Sequence, residues 1–203
     1  VAINTYSNLQ ASVATWLFRE DLTALIPDFI ALAESRINRD LRLREFEATA
    51  TGSGASFAMP SDAVSITRVA VQTSDGRMKV LPYAAPAQQS LYAPGSGEEP
   101  QAFAVLANVV TFLPPSSSAS WELLYYPSIP ALTNAAPTNW LLTRAPDIYL
   151  FATLMEAEPY LYNEERLPMW QKKYMEGVTS MMAADERQQF PQAGLQMRGE
   201  AAW

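Results

Sequence analysis

Apolar residues recur at three- and four-residue steps near both ends of the chain, and the period changes to alternation in the middle. Thr5 is placed to cap a first helix, whose Tyr6, Leu9, Val13, Trp16 and Leu17 share one face until Arg19-Glu20-Asp21 breaks it. Pro27 and Asp28 open a second helix, with Phe29, Ile30, Ala33, Ile37 and Leu41 on its buried side. Far down the chain, Pro146 and Asp147 mark another start, with proline at the first helical position and an acid near the positive end of the helix dipole. From there Leu150, Leu154, Ala157 and Leu161 form one stripe, and Ile148, Phe151, Ala152, Met155 and Tyr162 a second. Only Asp147, Glu158, Thr153 and Glu156 interrupt this surface. A helix apolar on two sides must be covered on two sides, so this segment is predicted to be the centre of the fold. Pro159 should kink or end it. Asn163-Glu164-Glu165 then offers a cap for a last helix, with Pro168 in its opening turn and Leu167, Trp170, Tyr174, Val178 and Met181 facing inward.

Between Glu45 and about Pro130 the pattern reads as short strands. Phe57 and Met59 alternate with small residues before a turn at Pro60-Ser61-Asp62. Val64, Ile66, Val69 and Val71 continue as a β-rich run. Asp75-Gly76 is a strong two-residue hairpin signal ahead of Met78 to Leu81. A single helical turn is placed at Pro86 to Leu91, and an exposed loop at Tyr92 to Gly97. Phe103 to Leu106 and Val109 to Leu113 flank Ala107-Asn108, a weaker hairpin candidate. Trp121 to Tyr126 is the last strand. Strands at this spacing suggest a small sandwich or barrel. The fold class is therefore α+β: a helical bundle of N- and C-terminal helices with an inserted small antiparallel β domain. The expected boundaries are 1–44 and 131–190 for the bundle, 45–130 for the β domain and 191–203 for a flexible tail.

Composition narrows the chemistry. The chain has no His and no Cys, which excludes thiol nucleophiles, disulfides and the commonest zinc ligands. A net charge of −7 argues against a general nucleic-acid binder. No apolar run approaches the roughly 20 residues of a membrane span, and no signal peptide is visible. A soluble chain made in a reducing compartment is expected, with no cofactor, no metal and no catalysis. Glu156, Glu158, Glu164 and Glu165 cluster in sequence, but the first two point about 200° apart on a helix and cannot share one proton or ion. Gly52-Ser53-Gly54 and Gly95-Ser96-Gly97 lack the lysine and the strand-to-helix context of a phosphate cradle and read as turns. Met175, Met181 and Met182 with Trp170 and Tyr174 read as core filler, and Trp140 as a plug where the β block meets the bundle.

Two features point to partners. Arg36, Arg39 and Arg42 step by threes, with Glu34, Asp40 and Glu45 close enough to pair with them. They form either a solvated face with ion pairs or an arginine row facing a partner protein or a phosphate. The tail after Phe190 is too polar and broken to fold alone, yet carries Leu195, Met197 and Trp203. The terminal Trp is either idle or an anchor that orders on a partner.

The phrases IPDFIALAESRINRDLRLREFE, FAMPSDAVSITRV, VVTFLPP and TNWLLTRAPDIYLFATLMEAEPYLYNEERLPMWQKKY resemble the head-to-tail adaptor proteins of tailed bacteriophages, notably of short-tailed phages. The likeness runs from about residue 20 to residue 180 and excludes the tail. It implies a helical bundle with a variable β insertion and a ring of about twelve subunits under the portal and above the tail nozzle. It also implies DNA passing through without sequence-specific binding, a place in the virion after assembly in the host cytoplasm, and no active site. Two other classes compete. One is a ligand-binding β module on helices, taking carbohydrate on a Trp121 and Tyr125 platform. The other is a cellular scaffold subunit.

Overall fold

Thr5 opens the first helix with its hydroxyl accepting the Asn8 N–H at 3.2 Å, and α1 runs Tyr6–Leu17. The computed structural model describes residues 2–19, 21–85, 87–88, 92, 99–116, 119–161 and 165–189. Helix α1 ends at Phe18, which takes the left-handed conformation (φ 54°, ψ 36°) and donates its N–H to the carbonyls of Ala14 and Thr15. Helix α2, Ile26–Asp40, has Pro27 and Asp28 in its first turn. Its Phe29, Ile30, Ala33 and Ile37 are buried as the spacing predicts. Helix α4, Pro146–Ala157, begins at its proline, and eight of its 12 residues are buried. It packs on α1, on α2, on α3 (Trp140–Arg144) and on α5 (Leu167–Gln189), which makes it the centre of the bundle. Pro159 terminates it, since Glu158 is the cap and the chain turns there. On α5, Trp170, Tyr174, Val178 and Met181 are buried, and Pro168 sits in the first turn. The expected cap at Asn163-Glu164, and Tyr162 before it, lie outside the described residues.

The short helix α3 went unforeseen. Its two fully buried leucines, Leu141 and Leu142, are too few to show a period, while its cap is plain in the structure: Asn139 Oδ1 accepts the Leu142 N–H at 2.8 Å. Trp140, read as a plug, is the half-buried first residue of α3.

The middle of the chain forms two antiparallel sheets. Strands β1 (Ala48–Ser53), β3 (Ala63–Gln72), β4 (Met78–Val80) and β7 (Ser120–Pro127) build one in the order β1-β7-β3-β4. Strands β2 (Ser56–Ala58), β5 (Ala102–Leu106) and β6 (Val109–Leu113) build the other in the order β2-β6-β5. Val69 and Val71 of β3, Leu123 and Tyr125 of β7, Phe103 of β5, and Val110 and Phe112 of β6 share one core, so the sheets form a sandwich. The step of three from Ile66 to Val69 has a physical meaning. A register irregularity between Ile66 and Arg68 adds one residue, so side chains of both parities reach the same core.

Two hairpin readings exchange places. The Asp75-Gly76 signal lies inside a five-residue loop, because Gln72 pairs with Met78 and Thr73 closes on Arg77. Thr73 Oγ1 bonds to the Asp75 carboxylate and to the Arg77 carbonyl, and this side-chain clasp favours the longer loop. The two-residue turn is the weaker candidate: Leu106 pairs with Val109, and Ala107 and Asn108 take φ of 49° and 61°. The helical turn placed at 86–91 and the Gly95-Ser96-Gly97 loop fall largely outside the described residues.

Strand β1 was also missed, since Gly52-Ser53-Gly54 read as a turn. Gly52 and Ser53 instead end β1, and only Gly54 turns (φ 135°). Gly52 faces Trp121 across the β1–β7 pair, and a Cβ there would lie 2.5 Å from Trp121 Cζ2. Trp121 is itself stacked on Phe57, with ring centroids 3.7 Å apart. A Gly52→Val variant is expected to displace the indole and destabilise the β unit by about 1–3 kcal/mol, the usual cost of overpacking. Loss of near-ultraviolet circular dichroism at a lowered melting temperature checks it, and a Thr51→Val variant at the exposed neighbour should change neither.

The chain thus forms two compact units. One is helical, built from Val1–Leu43 with Ile129–Trp203, and one is the β sandwich Arg44–Ser128. The architecture is α+β, a helical bundle carrying an antiparallel β insertion.

Candidate functional site

The carboxylates that cluster in sequence go to separate structural partners. Glu156 Oε1 meets Arg36 Nε at 2.5 Å, while Glu158 is buried and accepts the Trp170 indole N–H at 2.9 Å. Glu165 is exposed, and Glu164 lies outside the described residues. Among the described residues, no group of three or more Asp or Glu could hold a metal ion, and no helix is long and apolar enough to cross a membrane. Trp121 and Tyr125 share the inward face of β7 with Leu123. Tyr125 is buried with its hydroxyl toward Asp62, and Trp121 lies against Phe57. The Tyr125 ring is thus committed to the sandwich interior, while Trp121 is half-buried and also lines an open pocket with Thr51, Gln72 and Met78. The methionine group divides: Met181, Trp170 and Tyr174 are core, whereas Met175 and Met182 are exposed.

Helix α2 holds most of the polar geometry. Glu34 is 8% exposed. Its Oε1 accepts the Leu132 N–H at 2.8 Å and the Tyr149 hydroxyl at 3.3 Å. One turn on, Asn38 Oδ1 accepts the Ile129 N–H at 2.7 Å. From the other side Asn139 Nδ2 donates to the Pro130 carbonyl at 2.7 Å and to the Tyr149 oxygen at 2.6 Å. Three side chains thus satisfy three backbone groups of residues 129–132, which no strand or helix supplies. Burial pushes the Glu34 carboxyl above its ordinary value, opposed by the bonds from Leu132 and Tyr149. Burial likewise raises the Tyr149 phenol.

Glu34 therefore couples stability to pH. Its folded pKa is raised, so the native state holds the proton more tightly than the unfolded chain. The stabilisation this gives is present below the unfolded value and is lost as pH rises through the folded one. Glu34→Gln keeps an acceptor for Leu132 and Tyr149 without the buried charge. It is expected to match wild type in acid and to melt a few degrees higher at neutral pH. Glu34→Ala removes the acceptor and should cost about 1–3 kcal/mol at either pH. Melting both variants across a pH series checks the pair.

The arginine row takes a different form from the one the spacing suggests. Arg36 and Arg39 lie on α2, but the helix ends at Asp40 and Leu41 is extended, so Arg42 stands beyond the row. Two of the nearby acids have partners outside the row, although the charge of Asp40 also acts on Arg36. Glu34 is buried in its own network, and Asp40 accepts the Tyr174 hydroxyl at 2.9 Å. Arg36 is held by Glu156 of α4, while Arg39 and Arg42 are exposed. The three long-range anchors of the tail, Leu195, Met197 and Trp203, lie outside the described residues.

A surface the sequence reading did not single out lies where α1 meets the start of α5. Thr15, Trp16, Phe18, Arg166, Met169 and Trp170 line an open groove of about 390 Å³. Phe18 is 83% exposed, and Trp16 and Met169 are close to half exposed. Beneath them Trp16, Phe151 and Trp170 form an aromatic cluster with centroids 5.4–6.1 Å apart. The available signal was Phe18 itself, a bulky residue immediately after a helical face and outside its period.

A comparison with protein families matches residues 4–198 to the model described as SU10 adaptor protein. No curated protein matches the chain.

Proposed function

The chain belongs to the SU10 adaptor protein family, and from that premise we propose that it is the ring-forming head-to-tail adaptor of a bacteriophage virion. The family is a structural one of phage particles, and its members associate with other phage structural proteins. In the proposed arrangement about twelve copies form a ring between the portal and the tail nozzle. DNA passes through the ring without sequence-specific contact, and assembly takes place in the host cytoplasm. The observation that carries this reading is the family match, which spans both the helical unit and the β sandwich.

Physical features support it. A net charge of −7 suits a conduit that must not hold phosphates. Large apolar side chains stand exposed on both units, among them Phe18, Leu32 and Met169 on the helices and Val80, Tyr83 and Leu106 on the sandwich. Such side chains suit a subunit that buries further surface on assembly. Arg39, Arg42 and the anchors Leu195, Met197 and Trp203 are assigned to subunit or portal contacts. Arg36 is assigned there too, with the difference that its bridge to Glu156 also ties α2 to α4.

The test is to mix the chain with the portal of the same virion and image the product. A ring seated on the portal is expected, and a portal left bare at saturating chain would overturn the reading. Deleting residues 192–203 should leave melting unchanged, because such a segment cannot bury enough surface to offset its ordering entropy. The same deletion should weaken docking. Unimpaired docking of the truncated chain would remove Leu195, Met197 and Trp203 from the contact.

A further inference from the structure

The groove between α1 and α5 has two properties that a solvated surface lacks. Phe18 combines a left-handed backbone (φ 54°) with 83% exposure, so a large ring is displayed from a conformation that bulky residues avoid, without packing to offset it. Arg166 is the charged residue of the lining, and among the described residues no carboxylate pairs with it. It also precedes the first turn of α5, its carbonyl accepting the Met169 and Trp170 N–H groups, where the helix dipole disfavours a cation. An incoming carboxylate beside an aliphatic side chain would answer both features.

The chain carries that combination on another of its surfaces. Asp28, Ala31, Leu32, Ser35 and Arg39 are the exposed row of α2, on the side opposite the residues it buries. Leu32 is 53% exposed, and Asp28, exposed as well, lies one turn before it. Asp28 and Leu32 are four residues apart on α2, and Arg166 lies three residues before Met169 at the start of α5. Both α2 and α5 pack on α4.

We propose that the α1–α5 groove receives the Asp28–Leu32 face of α2 from a second copy of this chain, Leu32 seating against Phe18, Trp16 and Met169 while Asp28 pairs with Arg166. The contact joins two different surfaces, so it is head-to-tail and repeats from copy to copy, which closes a ring when the rotation allows. It rests on the ring reading above and names the surfaces that make the ring. Arg39, at the far end of the same α2 row, then falls at the edge of the contact.

The chain has no cysteine, so single thiols can be placed without background. Leu32→Cys and Met169→Cys proteins are mixed, free and on portal, and treated with a short bis-maleimide. The mixture should give at least about tenfold more covalent dimer than Leu106→Cys mixed with Met169→Cys, because a specific contact raises the effective concentration of the two thiols. Leu32→Cys alone should give no more than that control. Asp28→Arg or Arg166→Asp, each added to its own cysteine partner, should lower the yield, and the two together should restore it. Equal linking of Leu32→Cys with itself would overturn the head-to-tail arrangement. Rings seen by mass or imaging, with no excess linking in the mixture, would overturn this contact and leave the ring standing. No ring, free or on portal, and no excess linking would overturn both.

Discussion

Replacing Leu154 by Asp is expected to unfold the helical unit. Leu154 is fully buried at the middle of α4, the helix on which α1, α2, α3 and α5 all pack. Its neighbours on that helix, Leu150, Ala157 and Met155, are buried too, so no water is available to a carboxylate placed there. An unpaired charge in such a site costs several kcal/mol at least, or else it takes up a proton and leaves an unsatisfied polar group in place of packed methyls. A domain has only about 5–15 kcal/mol to lose. Arg36, which reaches α4 from α2, is already held by Glu156. The expected result is an insoluble chain, or a soluble one with its helical signal reduced and no cooperative melt. A melting temperature within a few degrees of wild type would show that α4 is not the centre. Leu154→Met is the control and should cost less than about 1.5 kcal/mol.

Trp170→Ala should be the next most damaging change, at about 3–5 kcal/mol. Its ring is 4% exposed, stacked on Phe151 and edge-on to Trp16, so truncation opens a cavity beneath the groove. The indole N–H is also the partner of Glu158 Oε1, whose other oxygen is buried without one. Removing the indole leaves the whole carboxylate unanswered. Two further variants separate these effects. Trp170→Phe keeps most of the packing and should still cost about 1–3 kcal/mol, the penalty for an orphaned buried polar group. Trp170→Phe with Glu158→Met replaces both partners by apolar groups and should recover much of that loss. Chemical denaturation of the four proteins checks the series. If the double variant is no more stable than Trp170→Phe, the bond to Glu158 contributes little and packing alone explains the residue.

The fold class, the centrality of α4 and the ends of its helix were all legible in the chain. Each rests on local information. Pro146 has no N–H to lose at a helix start, Pro159 cannot continue a helix, and a two-sided apolar stripe can only be satisfied by neighbours on both sides. The end of α1 before Arg19 was legible as well, although the display of Phe18 beyond the α1 stripe was not. The shift of period to β was equally plain. Its finer turns were not, since Ala107-Asn108 and Asp75-Gly76 differ by what the flanking strands pair with rather than by their own chemistry.

Tertiary structure decided the partners of the charged and polar groups. Spacing on one helix assigned Glu34 and Arg36 to each other's neighbourhood, but their bonds run to Leu132, 98 residues away, and to Glu156, 120 residues away. A helical period fixes which residues share a face and carries no information about what arrives opposite that face. The same limit hid the groove. Its walls come from Trp16 and Phe18 at the end of α1 and from Arg166, Met169 and Trp170 at the start of α5, and only the packing of both helices on α4 brings them together. The sequence by itself determined the elements and the face each one buries, because those follow from backbone geometry and the transfer of apolar groups from water. The folded chain alone determined which surfaces remain for another molecule, because an exposed face is defined by what the rest of the chain leaves uncovered.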